Sequence, residues 1–454
     1  MRKLSVLAVW ALAACTPAQQ AQVTKNIPTV ATSNQIESPV DRFVPQPLSM
    51  APRTSGSLAR DFAELSFAME SGRPLPWFSR FEGPITVAMT GDVPPTARAD
   101  LQRLMARLRN EAGLPVQGAA PDQVPSITIE FSPRSALRRL APTAACFVVP
   151  NVSSLAEYRA ARGTARADWA QVKTRTKAAI FVPSDTSPQE IRDCLHEEMA
   201  QAMGPLNDLY RLPDSVFNDD NFNTVLTSFD MQILRLYYSQ DLASGMSRAE
   251  VVARLPAIAA RMAPVGAARD VGGTPNAWSD AIEMALGGRA GQGARLAAAE
   301  RALMTARAQG WQDGRLAFSH FALGRLYVAS DPARAVRELA QAARLYRAQP
   351  GGAVQVAHVE MQLAAIAVAM GNPGQAIAFA DRAIPVIRRA ENASLLATVM
   401  LIKAEALDMT GRSADATALR LDSQSWSRYG FGSEANSRAR LREIAALGAR
   451  GRRG

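Results

Sequence analysis

Ser187-Pro188-Gln189-Glu190 followed by Cys194-Leu195-His196-Glu197-Glu198-Met199-Ala200-Gln201-Ala202-Met203-Gly204-Pro205-Leu206-Asn207-Asp208 is the stretch that decides the reading of this chain. Ser187 suits an N-cap, Pro188 the first helical turn, and Glu190, three residues on from the serine, completes a capping box. The helix so opened carries Cys194 and runs to Met203, where Gly204 and Pro205 stop it. Glu197 and Gln201 are four residues apart and share a face. Upstream, 84–89, 126–131, 146–149 and 178–182 are short runs with strand character, and Leu101, Leu104, Met105 and Leu108 have helical spacing. Strands mixed with helices to about residue 250 indicate an α+β domain.

The pair His196-Glu197 suggests the zinc-protease motif HExxH, but the residue four on from His196 is Ala200. A second register keeps every spacing. It resembles the metzincin pattern HExxHxxGxxH, with Glu197 at the first ligand position, Glu198 at the general base, Gln201 at the second ligand, Gly204 at the turn glycine and Asn207 at the third ligand. Asp214-Ser215-Val216-Phe217 lies where such families place their methionine turn, and the run from Leu226 to Tyr238 resembles their closing helix. The resemblance implies a zincin-like frame with exchanged ligands. Zinc favours imidazole or thiolate, and an amide is a poor substitute. The chain has three histidines, His196, His320 and His358, and the last two fall far downstream. We therefore expect no catalytic zinc and no resident cofactor. The polar cluster Asp208, Asp214, Asn218, Asp219, Asp220 and Asn221 leaves calcium or an atypical metal open; its plainer reading is a turn-forming loop.

The runs HEEMAQAMGPLND, SVFNDD and LTSFDMQILRLYY, with cysteines in AACFVVP and DCLHEE, resemble a proteobacterial lipoprotein domain of unknown function, family number 2927. The likeness covers roughly 62–251. Members read leucine-proline where this chain has Pro205-Leu206, a departure that bears on the turn before Asn207. The resemblance supplies a domain and no activity.

The amino terminus points to export. Arg2 and Lys3 precede an apolar run from Leu4 to Ala14, too short to span a bilayer, and Leu12-Ala13-Ala14-Cys15 resembles a bacterial lipobox. Residues 1–14 are read as a lipoprotein signal peptide and Cys15 as the lipidated residue. The chain would then be anchored in the cell envelope, facing the periplasm, with its membrane contact made by the lipid. Thr16 stands where an inner-membrane retention signal would place aspartate, which favours the outer membrane. With Cys15 acylated, Cys146 and Cys194 are either a disulfide across 48 residues or two buried thiols. The 454 residues carry a net charge of +10, with Arg438, Arg440, Arg442, Arg450, Arg452 and Arg453 near the C-terminus. In a cytosolic protein this charge would suggest a nucleic-acid regulator. Export argues against nucleic acid and leaves anionic lipid, lipopolysaccharide, an acidic partner or a simply solvated arginine-rich surface.

Residues 15–55 are rich in Pro, Gln, Thr, Ser and Asn and read as a flexible tether. The α+β domain is placed at 56–250 and a connector at 251–274. From 275 to 450 alanine-rich helical segments repeat. Leu363-Ala364, Ala367, Gly371 and Ala376 match Lys403-Ala404, Leu407, Gly411 and Ala416 at an offset of 40, and an earlier copy (Gly324, Tyr327, Asp331, Ala335) lies 41 before Ala376. A fainter copy lies around 294–302. The small residues and the turn glycine resemble tetratricopeptide repeats, with a period longer than usual; a generic helical bundle is the alternative. The predicted architecture is an α+β zincin-like domain followed by an all-α tetratricopeptide-like helical repeat domain. The predicted function is a non-catalytic envelope lipoprotein whose repeats dock a protein partner. The alternative is a periplasmic hydrolase using Glu198 as general base with an atypical metal.

Overall fold

The computed structural model describes residues 39–43, 53–262, 273–287 and 290–452. The leader 1–14 and Cys15 lie outside the described residues. The chain divides into two compact units, one built mainly from 50–219 and 223–270, the other from the flanking segments and 271–454.

The first unit is a mixed sheet with helices on both faces. Helix α1 (Ser55–Ser66) is capped by the Thr54 side chain. Strand β1 (Ile85–Gly91) leads to α2 (Ala97–Ala112), β2 (Val116–Gly118) and β3 (Ile127–Ser132). Helix α3 (Arg134–Arg138), β4 (Phe147–Pro150), α4 (Leu155–Ala161) and β5 (Ala178–Pro183) follow. The strand order is β2-β1-β3-β5-β4, parallel except for the antiparallel β4–β5 pair at one edge. The four strands expected from sequence are present. The three-residue β2 was not foreseen; it buries Val116 alone and is too short to show a period.

Every residue of β5 is buried, as a central strand covered on both faces requires. Ala178, Ile180 and Val182 face the larger core, and Ala179 and Phe181 face a smaller one closed by Leu137, Val149, Val152 and Leu155. Helix α5 (Pro188–Met203) begins with the Ser187 hydroxyl accepting from Glu190 N–H and Pro188 in the first turn, but the expected capping box is only half formed, because the Glu190 carboxylate accepts from Arg134 and Thr186 instead. It buries Ile191, Cys194, Leu195, Met199 and Ala202 in the larger core. Two further helices complete the unit, α6 (Ser228–Tyr237) and α7 (Arg248–Met262). Helix α7 packs Val251, Leu255 and Ile258 into the same core and carries the unit beyond residue 250.

Cys146 and Cys194 form a disulfide, with Cα atoms 5.9 Å apart. It ties the chain just before edge strand β4 to the middle of α5. Closing a loop of 48 residues restricts the unfolded chain, so reduction is expected to cost about 2–4 kcal/mol. Urea unfolding with and without reductant measures this, and an unchanged midpoint would refute it.

The second unit is helical: α8 (Asn276–Leu286), α9 (Gln292–Ala308), α10 (Gly314–Tyr327), α11 (Pro332–Arg347), α12 (Ala353–Ala369), α13 (Pro373–Arg389), α14 (Ala393–Met409), α15 (Ser413–Phe431) and α16 (Glu434–Gly451). Consecutive helices pack as hairpins, and α12–α13 recurs as α14–α15 with both starts displaced by 40 residues. The small residues fall where the helices meet: Ala364, Ala376 and Ala383 in one pair, Ala404, Ala416 and Ser423 in the next, all buried. Gly371 and Gly411 end α12 and α14 with φ of +75° and +76°, a conformation that favours glycine. Within the stretch 15–55, residues Pro39–Arg42 form a 3-10 turn of this unit. Phe43 sets its ring 4.8 Å from Trp426, and Arg42 bonds Asp422 at 2.9 Å.

His358 on α12 is buried, and that burial holds its imidazole down to about 3 from a usual value of 6.5. Its folded value lies below its unfolded one, so its contribution is complete above pH 6.5 and is lost as pH falls towards 3. Helical-unit stability is therefore expected to fall between those limits, and His358→Leu to flatten the fall. Melting temperature against pH checks it, and an equally steep fall in the variant would refute it.

Candidate functional site

Helix α5 presents Glu197 and Gln201 one turn apart, then stops at Gly204. A Cβ on Gly204 would lie 2.8 Å from Leu234 Cδ2 of α6. Its φ is negative, so a side chain here is opposed by crowding against the end of Leu234 rather than by backbone conformation. The chain then runs extended through Leu206, which bridges Met69 in parallel, and Leu206 O accepts from Glu70 N–H at 2.9 Å. This pairing brings Glu70 to the end of α5. One carboxylate oxygen from each of Glu70, Glu197 and Asp208 lies within 4.8 Å of the others.

Glu197 lies in the carboxylate group. Gln201 donates from Nε2 to Glu70 Oε1 at 2.8 Å and so orients that carboxylate. Asn207 is directed elsewhere, donating from Nδ2 to Glu64 O at 3.0 Å. The neighbouring Asp208 joins Glu197 instead. Glu198 is 4% exposed, and its Oε2 has no hydrogen-bond partner; Asp208 Oδ1 is likewise buried and unpartnered. His196 is part of the core: it is buried, and its Nδ1 accepts from Leu226 N–H at 3.1 Å. Burial and the nearby Arg192 and Arg107 hold its imidazole well below its usual range, so it is neutral.

The polar loop after Asp208 is tied to its surroundings at several points. Asp214 pairs with Arg53, and Asn218 donates to Leu212 O at 2.8 Å. The loop at Ser215–Phe217 is held from α6: Asp230 accepts from Ser215 Oγ at 2.5 Å, from Val216 N–H at 3.1 Å and from its own cap residue Thr227.

The electrostatics of the carboxylate group are one-sided. Burial, then the charges of Glu70, Asp219 and Asp193, push Glu197 up to about 8. Burial, then Glu197 and Glu70, push Glu198 well above the carboxylate range, and Asp208 is raised in the same way. Among the described residues no cation pairs with Glu197, Glu198 or Asp208. The buried cation at this end of α5, Arg175, serves another purpose. It is buried and donates to three carbonyls at the end of α5: Gln201 O at 2.7 Å, Ala202 O at 2.8 Å and Gly204 O at 2.6 Å. Its guanidinium also lies over Trp169, 4.8 Å from the ring centroid.

Sequence reasoning missed Glu70 and Arg175. Neither belongs to a spacing motif, and each reaches α5 only through long-range packing. Asp208 was visible, but as a member of the downstream loop.

Residues 55–257 match the family model described as Protein of unknown function (DUF2927). This segment belongs to that family. The DUF2927 segment covers the whole sheet, α5 with its carboxylates, α6 and most of α7. No curated protein matches the chain. No solved structure matches it.

Proposed function

We propose that this chain is a non-catalytic envelope lipoprotein. Cys15 would carry the lipid that holds it on a membrane, with the outer membrane favoured by Thr16. The DUF2927 segment would be a zincin-like frame that has lost its zinc site, and the tetratricopeptide-like repeats would dock a protein partner. The reading of the first domain rests on His196. The single imidazole of this unit is committed to Leu226 N–H within the core, and the positions matching zinc ligands carry a carboxylate and two amides. Without imidazole or thiolate donors, strong Lewis-acid activation of water beside Glu198 has little support.

The test uses the full chain in its Cys15→Ser form, which keeps the Pro39–Phe43 segment, purified without chelator from the periplasm. It is expected to cleave neither peptide nor glycan libraries. Cleavage that is abolished by EDTA and by Glu198→Gln would overturn the proposal in favour of a hydrolase with Glu198 as general base. The anchor is tested separately: Cys15→Ser in the full chain is expected to move the protein from the membrane fraction to the soluble periplasm.

A further inference from the structure

The carboxylates at the end of α5 have a feature the scaffold reading does not use. Glu70, Glu197 and Asp208 converge from three separate segments, with oxygens within 4.8 Å of one another. Like charges so placed repel, and evolution of a purely structural contact would favour a cation or a donor between them. Among the described residues, the one side-chain donor to these three is the Gln201 amide, which reaches one oxygen of Glu70. Glu198, next to Glu197 on α5 and influenced by the charges of Glu197 and Glu70, is 4% exposed with Oε2 unpartnered, and the Asp208 oxygen Oδ1 is also without a donor. Buried polar atoms normally find partners, so an orphaned oxygen on Asp208 within the triad and another on Glu198 next to Glu197 mark a place where a ligand supplies positive charge.

We propose that Glu70, Glu197 and Asp208 bind one hard divalent cation of the calcium, magnesium and manganese class. Glu198 adjoins Glu197 on α5, and Gln201 orients Glu70. The donor chemistry sets the class. All the donors are carboxylate oxygens, which suit hard cations, whereas zinc favours imidazole and thiolate. Oxygens on opposite sides of an ion held at about 2.4 Å stand about 4.8 Å apart, so the cradle has room for calcium. Water would fill the remaining coordination positions. The ion would join the end of α5, the Gly204–Asp208 turn and the segment carrying Glu70, three pieces otherwise held by the Met69–Leu206 bridge and Arg175. This inference goes beyond the scaffold reading and stands independently of it.

The experiment uses the full chain in its Cys15→Ser form, which keeps the Pro39–Phe43 segment of the helical unit, stripped with chelator and dialysed. Calcium, magnesium, manganese and zinc are titrated separately by calorimetry, and the melting temperature is followed. A hard cation is expected to bind at one ion per chain and to raise the melting temperature by several degrees, because it binds the folded state alone. Glu197→Gln combined with Asp208→Asn is expected to abolish the response. In the absence of cation that variant should melt no lower than the parent, since it removes repulsion. The milder Glu70→Gln, at an exposed position, should weaken binding at least tenfold with folding intact by circular dichroism. No response to any hard cation, an unchanged response in the variants, or a response confined to zinc would overturn the proposal. Peptide cleavage in the same preparation would count against the non-catalytic reading and leave the cation site standing.

Discussion

Replacing Arg175 with alanine is expected to cost the DUF2927 domain on the order of 3–5 kcal/mol and to loosen the end of α5 selectively. The last carbonyls of a helix lack partners within it and carry the negative end of its dipole. Here Gln201 O, Ala202 O and Gly204 O are all met by one buried guanidinium. Removing it orphans three acceptors, each worth roughly 1–3 kcal/mol when left dry, and opens a void beside Trp169. Partial relaxation and entering water bring the sum down to the stated range. Arg175→Lys should recover part of the loss, because an ammonium keeps the charge but does not reproduce the planar fork. Urea unfolding gives the magnitude, and amide hydrogen exchange gives the place. Protection at residues 201–208 should fall first. A loss below about 1 kcal/mol, or exchange rising evenly over the domain, would show that the carbonyls find other donors.

A comparable loss is expected from Asp61→Ala. Asp61 on α1 accepts from Arg53 at 3.2 Å and from Arg211, whose side chain is 2% exposed. Burial alone works against both guanidiniums, yet the carboxylates of Asp214, Asp61 and Glu64 hold them above their usual range. Arg53 also lies over Phe229, 3.6 Å from the ring centroid. Removing Asp61 leaves two buried cations short of a partner, which typically costs about 3–5 kcal/mol. For a domain of this size that is a drop in melting temperature of roughly 6–20 °C. Asp61→Asn should cost less, since it keeps an acceptor. Adding Arg211→Ala to Asp61→Ala should cost less than the sum of the two, because the pair acts as a unit. Additive losses in that cycle would refute the coupling.

Both networks explain why the candidate site was only partly legible beforehand. The α5 helix follows from local chemistry. Ser187, Pro188 and Glu190 start it and Gly204 ends it, and the structure begins and stops it at those residues. The face shared by Glu197 and Gln201 follows from the helical period. The register after Gly204 does not. Spacing alone places Asn207 opposite Glu197, but the Met69–Leu206 bridge turns Asn207 towards Glu64 O and brings Asp208 in. Pro205 and Leu206 lie at that bridge.

The sequence by itself determined the elements whose causes are local: four of the five strands, the caps and stop of α5, and the 40-residue recurrence of helix pairs with buried alanines. These follow from side-chain period, capping and glycine conformation, all of which act within a few residues. Tertiary structure alone decided which strand is antiparallel, that Cys146 meets Cys194, and that Glu70, more than 120 residues before Glu197, completes its carboxylate group. Those contacts depend on burial and charge balance between segments distant in the chain, and such balances leave no period for a sequence to display.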